Sequence, residues 1–223
     1  MMDIQKNLTN VNFNFRNTLP RWIVVHNTAN GTSREGTAYN NTVYFKDTYR
    51  SASAHYFIDD GDTVWQCVRD TDTAWHVGEA QSRNGCYNTN SIGIEVCETA
   101  GGWFTDKEIA TLRELVRGLM DFYGIPAERV CRHHDVTGKD CPWYYSDDDR
   151  WAELKAQITE DDMITKDDAN AIWAFDNWGD QEGALKGTAW RNLIDTNKRI
   201  QVVEKDVAEL SKKVDAIAKK LGA

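Results

Sequence analysis

The run Arg21-Trp-Ile-Val-Val-His26 constrains the fold more than any other stretch of this chain. Its β-branched and aromatic residues read as a central strand. The strand gives way to the polar loop Asn27-Thr-Ala-Asn-Gly31, which places His26 at a sheet edge, where sites form. A central strand needs partners, and three segments qualify. Ala54-His-Tyr-Phe-Ile-Asp59 and Thr63-Val-Trp-Gln-Cys-Val68 are joined by Asp60-Gly-Asp62, a hairpin signal. Ser91-Ile-Gly-Ile-Glu-Val-Cys97 alternates Ile92, Ile94 and Val96 on one face with Gly93, Glu95 and Cys97 on the other.

Helices accompany these strands. Thr105-Asp-Lys-Glu108 is a capping box, Ile109, Leu112, Leu115, Leu119 and Phe122 recur at helical spacing, and Gly124 then Pro126 stop the helix after Tyr123. Residues 34–49 predict a helix with Tyr39, Val43 and Tyr44 on one face, and another is expected after Ser146 as N-cap. The expected class is α/β, with a central, mostly mixed sheet flanked by helices over residues 1–158. Residues 159–187 read as a linker with an aromatic helical segment. Residues 188–223 carry heptads, with Ile200, Val207, Val214 and Leu221 at a and Val203, Leu210 and Ile217 at d. That seam predicts a coiled coil and self-association as dimer or trimer; packing back on its own domain is the alternative.

Composition excludes some functions. A net charge of -9 and a pI near 5.0 argue against nucleic acid as a partner. No stretch approaches the ~18 apolar residues of a membrane span. The N-terminus shows no basic segment followed by an apolar one, so synthesis in the cytoplasm without an export signal is expected. Five cysteines, odd in number and unclustered, suit reduced thiols with one metal ligand better than a disulfide framework.

The chemistry concentrates in Cys131-Arg-His-His-Asp-Val-Thr-Gly-Lys-Asp-Cys-Pro142. Its His-x7-Cys pair, joined by His26, makes a His2Cys set, which binds zinc with a fourth position left open. Spacing alone is weak support. A His…Cys pair this far apart is more often accidental than metal-binding, a histidine at a strand end is usually a satisfied polar group, and His133 and His134 compete for one role.

Beyond spacing, the chain resembles the zinc-dependent type 2 N-acetylmuramoyl-L-alanine amidases, a family of phage endolysins, autolysins and peptidoglycan recognition proteins. Five motifs carry the resemblance in family order: Ile23-Val-Val-His-Asn-Thr-Ala29, Ser53-Ala-His-Tyr-Phe-Ile-Asp59, Trp75-His-Val-Gly78, Asn90-Ser-Ile-Gly-Ile-Glu95 and His133-His-Asp-Val-Thr-Gly-Lys-Asp-Cys-Pro142. The resemblance implies one Zn2+ held by His26, His133 and Cys141, with His134 left to structure. It implies that Glu95 activates the attacking water and Lys139 stabilises the oxyanion; without it they read as a surface strand glutamate and a solvated loop lysine. His76 and Trp75 match positions near the substrate cleft, although Trp75 reads equally as core. Asn27 either orients His26 or touches substrate. Some phage members carry a catalytic tyrosine where this chain has Ala54, which shifts weight onto Glu95; His55 reads as structural.

The implied function is hydrolysis of the amide between N-acetylmuramic acid and L-alanine in peptidoglycan. The expected context is a phage or prophage endolysin, held in the host cytoplasm and released to act at the wall. Two alternatives remain: a non-lytic peptidoglycan-binding protein on the same fold, and an intracellular wall-recycling amidase. The aromatic cluster Trp173, Phe175, Trp178 and Trp190 reads as a wall-binding surface or a small core.

Overall fold

The structure, a computed structural model, describes residues 3–78 and 82–160. In chain order its elements are β1 (Asp3–Lys6), β2 (Asn14–Phe15), β3 (Trp22–Asn27), α1 (Thr37–Lys46), β4 (Tyr56–Ile58), β5 (Thr63–Gln66) and β6 (Asp72–Thr73). There follow β7 (Ser91–Val96), α2 (Asp106–Tyr123), β8 (Val130–Arg132), α3 (His133–Thr137) and α4 (Asp148–Thr159). The coiled coil of 188–223, and all but the first two residues of the 159–187 segment, lie outside the described residues.

The main sheet is mixed, in the order β1-β5-β4-β7-β3-β8, and the short strands β2 and β6 pair antiparallel beside it. Only β4 and β5 run antiparallel within it, across the expected Asp60-Gly-Asp62 turn; the other four pairings are parallel. β3 lies between β7 and β8, so His26 sits at a strand's C-terminal end rather than on an edge strand.

Register divides the sheet into two faces. Ile23 and Val25 of β3 pair with Ile92 and Ile94 of β7, and all four are fully buried, each worth about 1.5–3 kcal/mol. On this face Tyr123 of α2 and Tyr56 of β4 both donate to the Asp70 carboxylate, which ties helix to sheet. α2 begins with the expected box: Thr105 accepts from the Glu108 amide, and Glu108 accepts from the Thr105 amide. Gly124, at φ 64°, ends it.

The opposite face carries Val24, His26, Gly93, Glu95 and Cys131. Part of it is covered by α1, and there the expectation of an apolar face through Tyr39, Val43 and Tyr44 fails: these residues are 42%, 48% and 51% exposed. α1 seats instead through Thr37, Ala38 and Thr42. Its polar seat is satisfied by Asp59 accepting from the Ala38 amide and by Asn7 donating to Thr42. The cap of α4 also differs, since Asp147 rather than Ser146 accepts from the Arg150 amide. All five cysteines are free and buried, among them Cys86 and Cys131, which share one apolar cluster.

Candidate metal centre

Three parallel strands deliver the site at their C-terminal ends, the usual place for ligands in open α/β sheets. His26 is the penultimate residue of β3, Glu95 is its register partner on β7, and His133 follows the last residue of β8. The His133 run is helical where it begins. It opens α3, which Gly138 ends at φ 84°, and the His134 amide donates to the Cys141 carbonyl at 2.9 Å. The segment thus closes on itself and returns Cys141 to His133. One ligand atom from each of His26, His133 and Cys141 lies within 4.8 Å of the others, and all three residues are buried. His134 is only half-buried and stands outside this group.

Hydrogen bonds assign the ring nitrogens. His26 Nδ1 is 3.6 Å from Cys141 Sγ, and its Nε2 is 3.0 Å from His76 Nδ1. His133 Nδ1 is buried without a partner. Each ring thus has an Nδ1 to offer as a donor atom.

Burial, and then the neighbouring His76 and His133, hold His26 well below its usual range; burial and then Lys139 lower His133 to about 4. Burial and Glu95 push the Cys141 thiol up to about 12, against the pull of the Asn27 backbone N–H and Lys139. Two neutral imidazoles and a thiol at this spacing leave an orphaned nitrogen that protein groups do not satisfy. A divalent cation would satisfy it and draw the thiol to thiolate, so the donor set fits a metal.

Glu95 adds a carboxylate on the same face. Its Oε2 is buried without a partner, and burial raises it to about 8 although Lys139 pulls it down. Lys139 is exposed, yet close enough to act on His26, His133, Glu95 and Cys141. Asn27 is buried, with Oδ1 accepting from the Trp143 amide at 3.3 Å and Nδ2 unpartnered. Trp75 is half-buried against Tyr49, with ring centroids 5.7 Å apart. No hydrogen bond or ring contact joins it to the three ligands among the described residues. His76 is 8% exposed and stands behind His26.

Other supporting residues escaped sequence reasoning. The Glu98 carboxylate, 1% exposed, accepts from Thr28 Oγ1 and from the amides of Ala29 and Gly31, which fastens the loop after His26. Arg132 spans Asp135 and Asp148 at 2.7 and 2.8 Å, bracing α3 against α4. Only the Arg132/Asp135 spacing left a trace in sequence, as an i,i+3 pair at a helix start.

Comparison with known proteins places this arrangement. The profile of the N-acetylmuramoyl-L-alanine amidase family matches residues 16–144. CwlH of Bacillus subtilis strain 168, named an N-acetylmuramoyl-L-alanine amidase, is 35% identical over 148 residues, which is 66% of this chain and 56% of CwlH. CwlA of the same strain, named likewise, is 34% identical over 138 residues, 61% of this chain and 48% of CwlA. The chain thus spans about half the length of the relatives it matches. Among solved structures, a mutant endolysin from Bacillus subtilis is 34% identical with a TM-score of 0.59, covering 71% of this chain and 99% of that one. No described helix is long and apolar enough to cross a membrane. With the profile matched across both histidines and the cysteine of the cluster, the chain belongs to the N-acetylmuramoyl-L-alanine amidase family.

Proposed function

We propose that this protein hydrolyses the amide joining N-acetylmuramic acid to L-alanine in peptidoglycan, as a lytic enzyme of endolysin type acting at the bacterial wall. The carrying observation is Glu95: a half-buried residue whose Oε2 is buried without a partner, in register with His26, beside a three-donor cluster. A merely structural carboxylate at this depth would be paired.

His26, His133 and Cys141 would hold zinc, whose softness and preference for N/S donors match this set. When bound, zinc supplies Lewis-acid polarisation of the scissile carbonyl and a lowered pKa for water. Glu95, whose raised pKa Lys139 draws down, accepts the water proton and passes it to the departing L-alanine amine. Lys139 offsets charge on the carbonyl oxygen as the tetrahedral species forms. Asn27 steadies the thiolate through its backbone N–H and holds the chain after Cys141 through Trp143.

Residues 188–223 serve self-association in this reading, as a dimer or trimer, and several linked catalytic domains would hold a polymeric wall by avidity. The names carried by CwlH and CwlA support the activity. The test is mass spectrometry of digested sacculi, with and without chelator. New L-alanine amino termini and free muramic carboxyls, both lost on chelation, are expected. Intact stem peptides on uncleaved muramic acid would overturn the proposal.

A further inference from the structure

His26 has a supporting residue of its own. His26 Nε2 meets His76 Nδ1 at 3.0 Å. The segment carrying His76 is itself bracketed. Asn88 Oδ1 accepts from the amides of both His76 and Val77 at 2.9 Å, and Asn88 Nδ2 donates to the Gly78 carbonyl at 3.1 Å.

The polarity of the chain follows from its end. Ser91 Oγ donates to the Tyr87 carbonyl at 2.6 Å, because a carbonyl can only accept. Ser91 Oγ is therefore left as acceptor for His76 Nε2–H at 3.0 Å. His76 Nδ1 is then a lone pair and must accept from His26 Nε2–H. The series fixes the His26 tautomer with Nδ1 free, the nitrogen that faces Cys141. Gly93 makes the arrangement possible: a Cβ there would stand 2.5 Å from the His76 ring.

We propose that His76, held by Asn88 and Ser91, is the positioning residue that sets the ring orientation and tautomer of His26. His76 then acts through His26 and does not contact substrate. Partners of this kind typically carry about 10–100-fold in metal affinity. The proposal rests on the metal reading of the cluster and is independent of the substrate.

Zinc affinity, measured by competition with a chromophoric chelator, tests it without any turnover. His76→Ala is expected to weaken zinc by about 10–100-fold while the metal-free protein keeps its circular dichroism. His76→Asn, whose amide oxygen can stand where Nδ1 stood, recovers most of the affinity. In metal-free wild type, nitrogen NMR is expected to show His26 protonated at Nε2, a preference lost in His76→Ala. If His76→Ala does not fold, Asn88→Ala gives the same reading from a half-buried position that touches neither ligand. Unchanged zinc affinity in His76→Ala, with KM raised on a soluble muropeptide, would overturn the proposal and make His76 a substrate residue. Wild-type protein that takes up no zinc would overturn the metal reading, and this proposal with it.

Discussion

His26 and Glu95 are Cα partners across the parallel β3–β7 pair, so an imidazole of the three-donor cluster and a carboxylate project from the same face one strand apart. Separate elements hold them, which makes their contributions separable. Glu95→Gln keeps the shape and removes the base. It is expected to bind zinc as wild type does and to lose about 10²–10⁴-fold in turnover of sacculi. A turbidity assay run beside zinc quantitation checks both halves, and wild-type turnover in the variant would remove Glu95 from the mechanism.

Cys141 and His133 lie at the two ends of one self-closed segment, away from the sheet interior. Cys141→Ala and His133→Ala are each expected to lose stoichiometric zinc and all lytic activity, while β3, β4 and β7 stay folded. Atomic absorption on dialysed protein, together with far-UV circular dichroism, reads the two outcomes. Full hydrolysis by a zinc-free Cys141→Ala protein would contradict the proposed site.

The pH dependence of the metal-free protein follows from opposed groups. His26, His55, His76 and His133 are all lowered by burial from 6.5, so the unfolded chain binds more protons than the folded one as pH falls. Their contribution is complete above 6.5 and is lost toward acid, with His133 taking up its proton in the fold at about 4. Glu95 and Glu108 are raised from 4.5 to about 8 and about 7, so their contribution is present at low pH and lost as pH rises through those values. Four histidines outnumber Asp70 and the two glutamates in the acid range. Stability is expected to peak near 6.5 and to fall on both sides, as urea melts in chelator at several pH values would show. A curve still rising at pH 8 would contradict this.

Glu98 accepts three hydrogen bonds from the loop that follows β3. Glu98→Ala strands the amides of Ala29 and Gly31 and is expected to cost about 2–4 kcal/mol in urea unfolding. A change below about 0.5 kcal/mol, the range of ordinary surface substitutions, would mean that the loop holds itself.

The strands β3, β4, β5 and β7 were legible because each is an apolar run bounded by turn residues. β1, β2, β6 and β8 were not: Asp3–Lys6 has one apolar residue, and the others are two or three residues long. The seat of α1 misled because threonine and alanine, not its aromatics, meet the sheet. At the site, His26, His133 and Cys141, which the fold brings together, stood out by residue type and by their order among the motifs. Their support did not, because His76, Asn88 and Ser91 converge only after the chain turns, and a buried acceptor such as Glu98 looks like any surface acid in one sequence.

The sheet ends at β8, a three-residue strand bonded to β3 alone, and His133 of the three-donor cluster follows where it stops. Fraying of that border would part His133 and Cys141 from His26 while the inner strands stay closed. Exchange of a bound ion would then be timed by a small local opening and not by global unfolding. A metal held as proposed would then exchange within the folded lifetime of the protein.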